Sequence, residues 1–126
     1  MLSVLLVGKN PDSLAGLADE LSRRQDTKVR RVTSGKDAWE FLGNDRVDVV
    51  VTDQELADGL ALTFVHQLTR RYPLINCAMV SNLSPKDFHE ATEGLGVFLQ
   101  LPADPGVEEA AKMVQLLESI DALLGM

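Results

Sequence analysis

Five short runs of aliphatic and β-branched residues, at 3–7, 28–33, 47–52, 75–81 and 96–101, alternate along this chain with longer stretches whose apolar residues recur at helical spacing. That alternation constrains the fold more than any other feature. Strands interleaved with helices build βαβ units, and such units stack into a parallel sheet covered by helices on both faces. The third and fourth runs are almost continuously apolar, as strands buried on both faces should be.

Crossovers between parallel strands are right-handed almost without exception, so for units of this length the economical strand order is 2-1-3-4-5. The expected architecture is therefore α/β: a three-layer, flavodoxin-like (βα)5 fold around a five-stranded parallel sheet. Its helices can be placed from their punctuation. Asn10, Pro11 and Asp12 read as cap, first-turn proline and first-turn acid, followed by Leu14, Leu17, Ala18 and Leu21, which predicts a helix to about Arg24. Gly35 opens a second pattern with Ala38, Trp39 and Leu42, and Leu60, Leu62, Val65 and Leu68 mark a third that stops before Pro73. Ser84 with Pro85, and Asp104 with Pro105, predict the starts of the last two helices; the fourth stops near Gly94.

The 126 residues make room for one domain, 1–126, and hydrophobic and charged shares of 45% and 25% are those of a folded globular chain. No apolar run approaches the roughly 20 residues of a bilayer span, and MLSVLLV is cut by Gly8 and Lys9 before it could act as a signal-peptide core. The lone Cys77, in the apolar stretch CAMV, excludes an intrachain disulfide and fits a buried small hydrophobe in a cytoplasmic protein. A net charge of −7 argues against binding phosphate backbones. The basic cluster Arg23, Arg24, Lys28, Arg30 and Arg31 fits a helix end and an edge strand whose charges block edge-to-edge pairing. His66 and His89 lack metal-ligand spacing, and no phosphate-cradling glycine loop, nucleophile elbow or dinucleotide fingerprint occurs.

Chemistry in an open parallel sheet gathers outside the carboxyl ends of the strands, where the order reverses. With the order 2-1-3-4-5, the ends of strands 1 and 3 adjoin there, bringing Asp53, which closes VDVVVT, beside Gly8, Lys9 and Asn10.

SVLLVGKNP, VDVVVTDQELADGLAL, CAMVSN and GLGVFLQLP resemble, in that order, the landmarks of a response-regulator receiver domain of two-component phosphorelay signalling. The resemblance implies a phosphoryl acceptor at Asp53, a readout hydroxyl at Ser81 and a switch aromatic at Phe98. It implies partners among signalling proteins: a histidine kinase, an output domain, another receiver, or a second copy meeting through helix 4, strand 5 and helix 5, with no direct nucleic-acid or membrane partner.

The departures from the family pattern are as informative. The acidic pair that holds Mg²⁺ after the first strand is Gly8 and Lys9 here, and the lysine that contacts the phosphoryl group is Leu101. Mg²⁺ is a hard ion that needs oxygen ligands; Asp53 and Glu55 are the available carboxylates, with Asp12 too far along the first helix to substitute. The loop QELADG reaches Gly59 two residues sooner than is usual in the family. The expectation is a pseudo-receiver: not an enzyme, without a cofactor, acting as a protein-interaction module. Two alternatives stand beside it, an orthodox phospho-acceptor with an adapted Mg²⁺ site and a flavodoxin-like cofactor binder.

Lys9 is expected either to meet the Asp53 carboxylate in place of the metal or to extend into water. In the first case, at ~4 Å and an effective dielectric near 20, the attraction is about 4 kcal/mol before desolvation, and Asp53→Ala should cost up to roughly 3–5 kcal/mol by orphaning the lysine.

Overall fold

A computed structural model of the chain describes residues 2–123. The strands of the main sheet are β1 (Leu2–Val7), β2 (Thr27–Val32), β3 (Val49–Thr52), β6 (Asn76–Val80) and β7 (Val97–Leu101); β4 (Glu55–Leu56) and β5 (Gly59–Leu60) form a small separate hairpin. The helices are α1 (Ala15–Ser22), α2 (Gly35–Asn44), α3 (Ala61–Arg71), α4 (Pro85–Thr92) and α5 (Val107–Leu123). All pairings in the main sheet are parallel and its order is β2-β1-β3-β6-β7, which is the expected 2-1-3-4-5 once the hairpin is set aside.

Alternation along the strands divides the core into two. Val4, Leu6, Val49, Val51, Ala78, Val80, Leu99 and Leu101 face α1 and α5, packing on Leu17, Leu21 and Met113. Leu5, Val7, Val50, Cys77 and Met79 face the other way, onto Ala38 and Leu42 of α2 and Phe64, Val65 and Leu68 of α3. A slip of one residue would exchange these faces and bring the wrong side chains to each helix, so the register is strongly fixed. β2 lies at the edge, where its exposed Lys28, Arg30 and Arg31 leave no flat apolar strip to pair with another chain. Among the described residues no helix is long and apolar enough to cross a membrane.

Three helix boundaries differ from the sequence expectation, and β3 starts at Val49 instead of residue 47. Residues 11–14 form a 3-10 turn, Pro11–Leu14, before α1 begins, although Asn10 caps it as expected by accepting the Asp12 N–H. α1 ends at Ser22, and the chain turns into β2 through Asp26 at φ 58°. α5 begins at Val107 because Asp104, at φ 51°, has the left-handed backbone of a turn and not the extended backbone of a cap. Its start is capped instead by Glu109, whose carboxylate reaches back to the Gly106 N–H at 2.8 Å, half of a capping box.

Candidate functional site

Asp53 follows β3 at the carboxyl edge of the sheet, and its N–H still donates to the Val7 carbonyl at 2.9 Å, so the end of β1 fixes its position. Its half-buried carboxylate has a partner on each oxygen. The Gln54 N–H donates to Oδ1 at 2.7 Å, and the Ser13 hydroxyl donates to Oδ2. Around it lies an open pocket of about 280 Å³ lined by Lys9, Asn10, Asp53, Gln54 and Glu55.

Gly8 is buried directly against this side chain. A methyl group in place of its α-hydrogen would lie 3.0 Å from Asp53 Cβ and 3.6 Å from Oδ2. Of the two placements expected for Lys9, the pair with Asp53 is not made. Its ammonium stands 3.8 Å from the Glu55 carboxylate, both side chains about two-thirds exposed, and its N–H donates to the Glu55 carbonyl at 2.9 Å. The reason is the hairpin: β4 runs beside the end of β1 and puts an accessible carboxylate in front of the lysine. An ion pair this exposed is worth less than about 1 kcal/mol, so removing Asp53 would not orphan a buried lysine.

The hairpin is what the shortened loop becomes. Ala57 donates to the Thr33 carbonyl at 2.8 Å, and Asp58 accepts the N–H groups of Gly35 at 2.8 Å and Lys36 at 3.1 Å, the first amides of α2. Those bonds, Gly35 first, hold the Asp58 carboxyl below the usual carboxylate range. Ser34 caps the same helix by accepting the Asp37 N–H.

Across the site, Ser81 lies just past β6 and accepts the Leu83 N–H at 3.1 Å, while its own N–H donates to the Leu101 carbonyl at 3.1 Å. Gln100 donates through Nε2 to the carbonyl oxygens of Ser81 at 3.2 Å and Leu83 at 2.8 Å. Phe98 sits at a shift of register, between the pairs Cys77–Val97 and Ala78–Leu99, and packs half-buried against the cluster shared with α5. Such a bulge re-aims a side chain out of the regular alternation. Leu101 is 1% exposed inside that same cluster, so this position is part of the core and not of the pocket.

The structure thus gathers Gly8, Lys9, Asp53 and Glu55 into one place, sets Ser81 just past β6 and Phe98 in β7, and removes Leu101 to the interior. Ser13, Asp58 and Gln100 were not singled out from the sequence. Asp58 entered only as part of the loop QELADG, and a serine in a first helical turn or a glutamine in a strand carries no periodic signal.

Among the described residues no three His, Cys, Asp or Glu side chains converge where a metal could be held; Asp53 has both oxygens engaged and Glu55 faces an ammonium. The buried Cys77 thiol, pushed up to about 12 by loss of hydration, offers no thiolate near neutrality.

Comparison with solved structures places this fold. The chemotaxis response regulator CheY4 of Vibrio cholerae superimposes with a TM-score of 0.78 at 18% identity, over 91% of this chain and 97% of that one. A two-component response regulator of Clostridium difficile gives 0.75 at 13%, over 98% and 96%. The receiver domain of an HD-domain-containing protein of Pseudomonas fluorescens Pf-5 gives 0.78 at 16%, over 91% and 85%. At these identities the likeness establishes the fold alone. No curated protein shows significant sequence similarity to the chain. The family model of the response regulator receiver domain, however, matches residues 4–115. The chain therefore belongs to the response regulator receiver domain family.

Proposed function

We propose that this receiver domain works in two-component signalling as a protein-docking module whose output does not depend on Mg²⁺-assisted phosphoryl transfer to Asp53. One observation carries the reading: the end of β1, where the metal-binding acids of a receiver belong, presents buried Gly8 and an exposed Lys9 that pairs with Glu55. With Glu55 engaged by Lys9 and no acid at the end of β1, Asp53 offers a hard cation few of the oxygen ligands it needs. Leu101 adds to this, because a buried leucine supplies no cation for phosphoryl oxygens.

On this reading the domain is not an enzyme, needs no cofactor and acts in the cytoplasm. Its partners are signalling proteins, a kinase, an output domain or another receiver, and the contact face is α4, β7 and α5, where Phe88 and Phe98 are only half-buried.

The test is incubation with acetyl phosphate, with and without Mg²⁺, read by intact mass, with Asp53→Ala and an orthodox receiver in parallel. The expected result is no adduct while the orthodox receiver is labelled. An adduct that requires both Mg²⁺ and Asp53 would overturn the proposal and make this a working phospho-acceptor, with Glu55 drawn into its metal site.

A further inference from the structure

Asp53 is tied in place, and the tie runs to residues outside its own strand. Ser13, in the 3-10 turn before α1, donates to Oδ2, while the Gln54 N–H satisfies Oδ1. Ser13 is itself anchored, since its N–H donates to the Asn10 carbonyl at 3.2 Å and Asn10 caps the same turn. The same carbonyl lies 2.8 Å from the Ser13 hydroxyl, whose single proton has two acceptors in reach; the carboxylate is the stronger. Asp53 leans close over the end of β1, where a Cβ at position 8 would come within 3.0 Å of Asp53 Cβ, so glycine makes the room.

We infer that Ser13 is a positioning residue that holds Asp53 as a structural tie between the end of β3 and the turn that starts α1, with Gly8 leaving space for it. The inference rests on the proposed phosphorylation-independent reading and deepens it: the acceptor aspartate has a task in the fold. In a pocket of crowded acids, deleting the aspartate relieves repulsion and stabilises the protein. Here the deletion strips a hydroxyl and a backbone amide of their shared partner.

Thermal unfolding of the full chain at neutral pH tests this with Ser13→Ala, Ser13→Thr, Asp53→Ala and the Ser13→Ala/Asp53→Ala double variant. Each alanine variant should melt about 3–8 °C lower, the double variant no lower than Asp53→Ala alone, and Ser13→Thr, which keeps the hydroxyl, close to the parent. A second readout needs no unfolding: carbodiimide coupling of glycine ethyl ester to Asp53, followed by peptide mass, should run several-fold faster in Ser13→Ala than in the parent or Ser13→Thr. Asp53→Ala melting at or above the parent, additive single effects, or coupling indifferent to Ser13→Ala would each overturn the inference. Acetyl phosphate labelling of the same variants separates the two claims. An Mg²⁺-dependent adduct on the parent refutes the phosphorylation-independent reading, whereas the melting cycle and coupling rates judge the tie.

Discussion

Gln100 reaches from β7 to Leu83, its carboxamide nitrogen 2.8 Å from the Leu83 carbonyl oxygen and 3.2 Å from that of Ser81. With the Ser81 hydroxyl accepting the Leu83 N–H, the start of the loop between β6 and α4 is held by side chains as well as by the sheet. Gln100→Leu keeps the volume and removes both donors. It should cost about 1 kcal/mol and speed hydrogen exchange at Leu83, while amides in β3 exchange as before. Unchanged exchange at Leu83 would show that the loop holds itself.

Asp58 fastens the hairpin to α2, and its contribution has a predictable sign with pH. Its folded carboxyl titrates below the ordinary value of 3.8 because the Gly35 and Lys36 amides favour the charged form. The stabilisation is therefore present above the unfolded value and is lost as pH falls through the lower, folded one. Asp58→Ala should melt below the parent at pH 7, and the gap should narrow as pH falls below the ordinary value of 3.8. A gap independent of pH would mean that the carboxylate charge plays no part.

The fold was readable because each of its signals is repeated. Apolar runs of strand length occur five times, helix-spaced apolar residues separate them, Ser84 and Pro85 mark the start of α4, and only one right-handed topology uses them economically. What failed was local. Asp104 and Pro105 look like a helix start, yet a single left-handed residue moves the start to Val107. The site was half legible. Asp53, Gly8 and Glu55 fall where position in the strand puts them, but Lys9 chose its partner through a hairpin that no two-residue strand announces in sequence. Ser13 and Gln100 matter through hydrogen bonds across elements, and such pairings have no period.

Leu101 decides whether an orthodox site could be rebuilt by substitution. It is 1% exposed among the residues that join β7 to α1 and α5. Leu101→Lys would place an ammonium in that core, and unless the side chain escapes to the pocket the cost is several kcal/mol, about 3 or more. The expected result is a large fall in the urea midpoint, with no adduct gained from acetyl phosphate even alongside Gly8→Asp and Lys9→Asp. A triple variant that folds normally and is labelled would show that these three positions alone set the chemistry.

Thr52, the residue before Asp53, is fully buried, and its hydroxyl oxygen has no hydrogen-bond partner. Burying an unpaired hydroxyl is unfavourable, and valine fills the same volume without it. Thr52→Val should raise stability by about 1 kcal/mol, seen as a higher melting temperature. A lower one would mean that the hydroxyl finds a partner in solution.

Cys77 sits in β6 at 1% exposure, and burial raises its thiol from 9.0 to about 12. A raised value means that the folded state favours the neutral thiol, so this contribution is whole below pH 9 and declines as pH climbs from 9.0 toward about 12. Across that window each pH unit removes about 1.4 kcal/mol attributable to this group. The comparison is with Cys77→Ala, which isolates the thiol from the rest of the chain. That variant loses some packing at every pH, yet its stability should fall less steeply above pH 9. The parent thiol should also resist alkylation at pH 8 until denaturant is added. Equal alkaline slopes, or rapid alkylation of the native protein, would show that β6 opens at Cys77 far more readily than its packing between Val50 and Val97 implies.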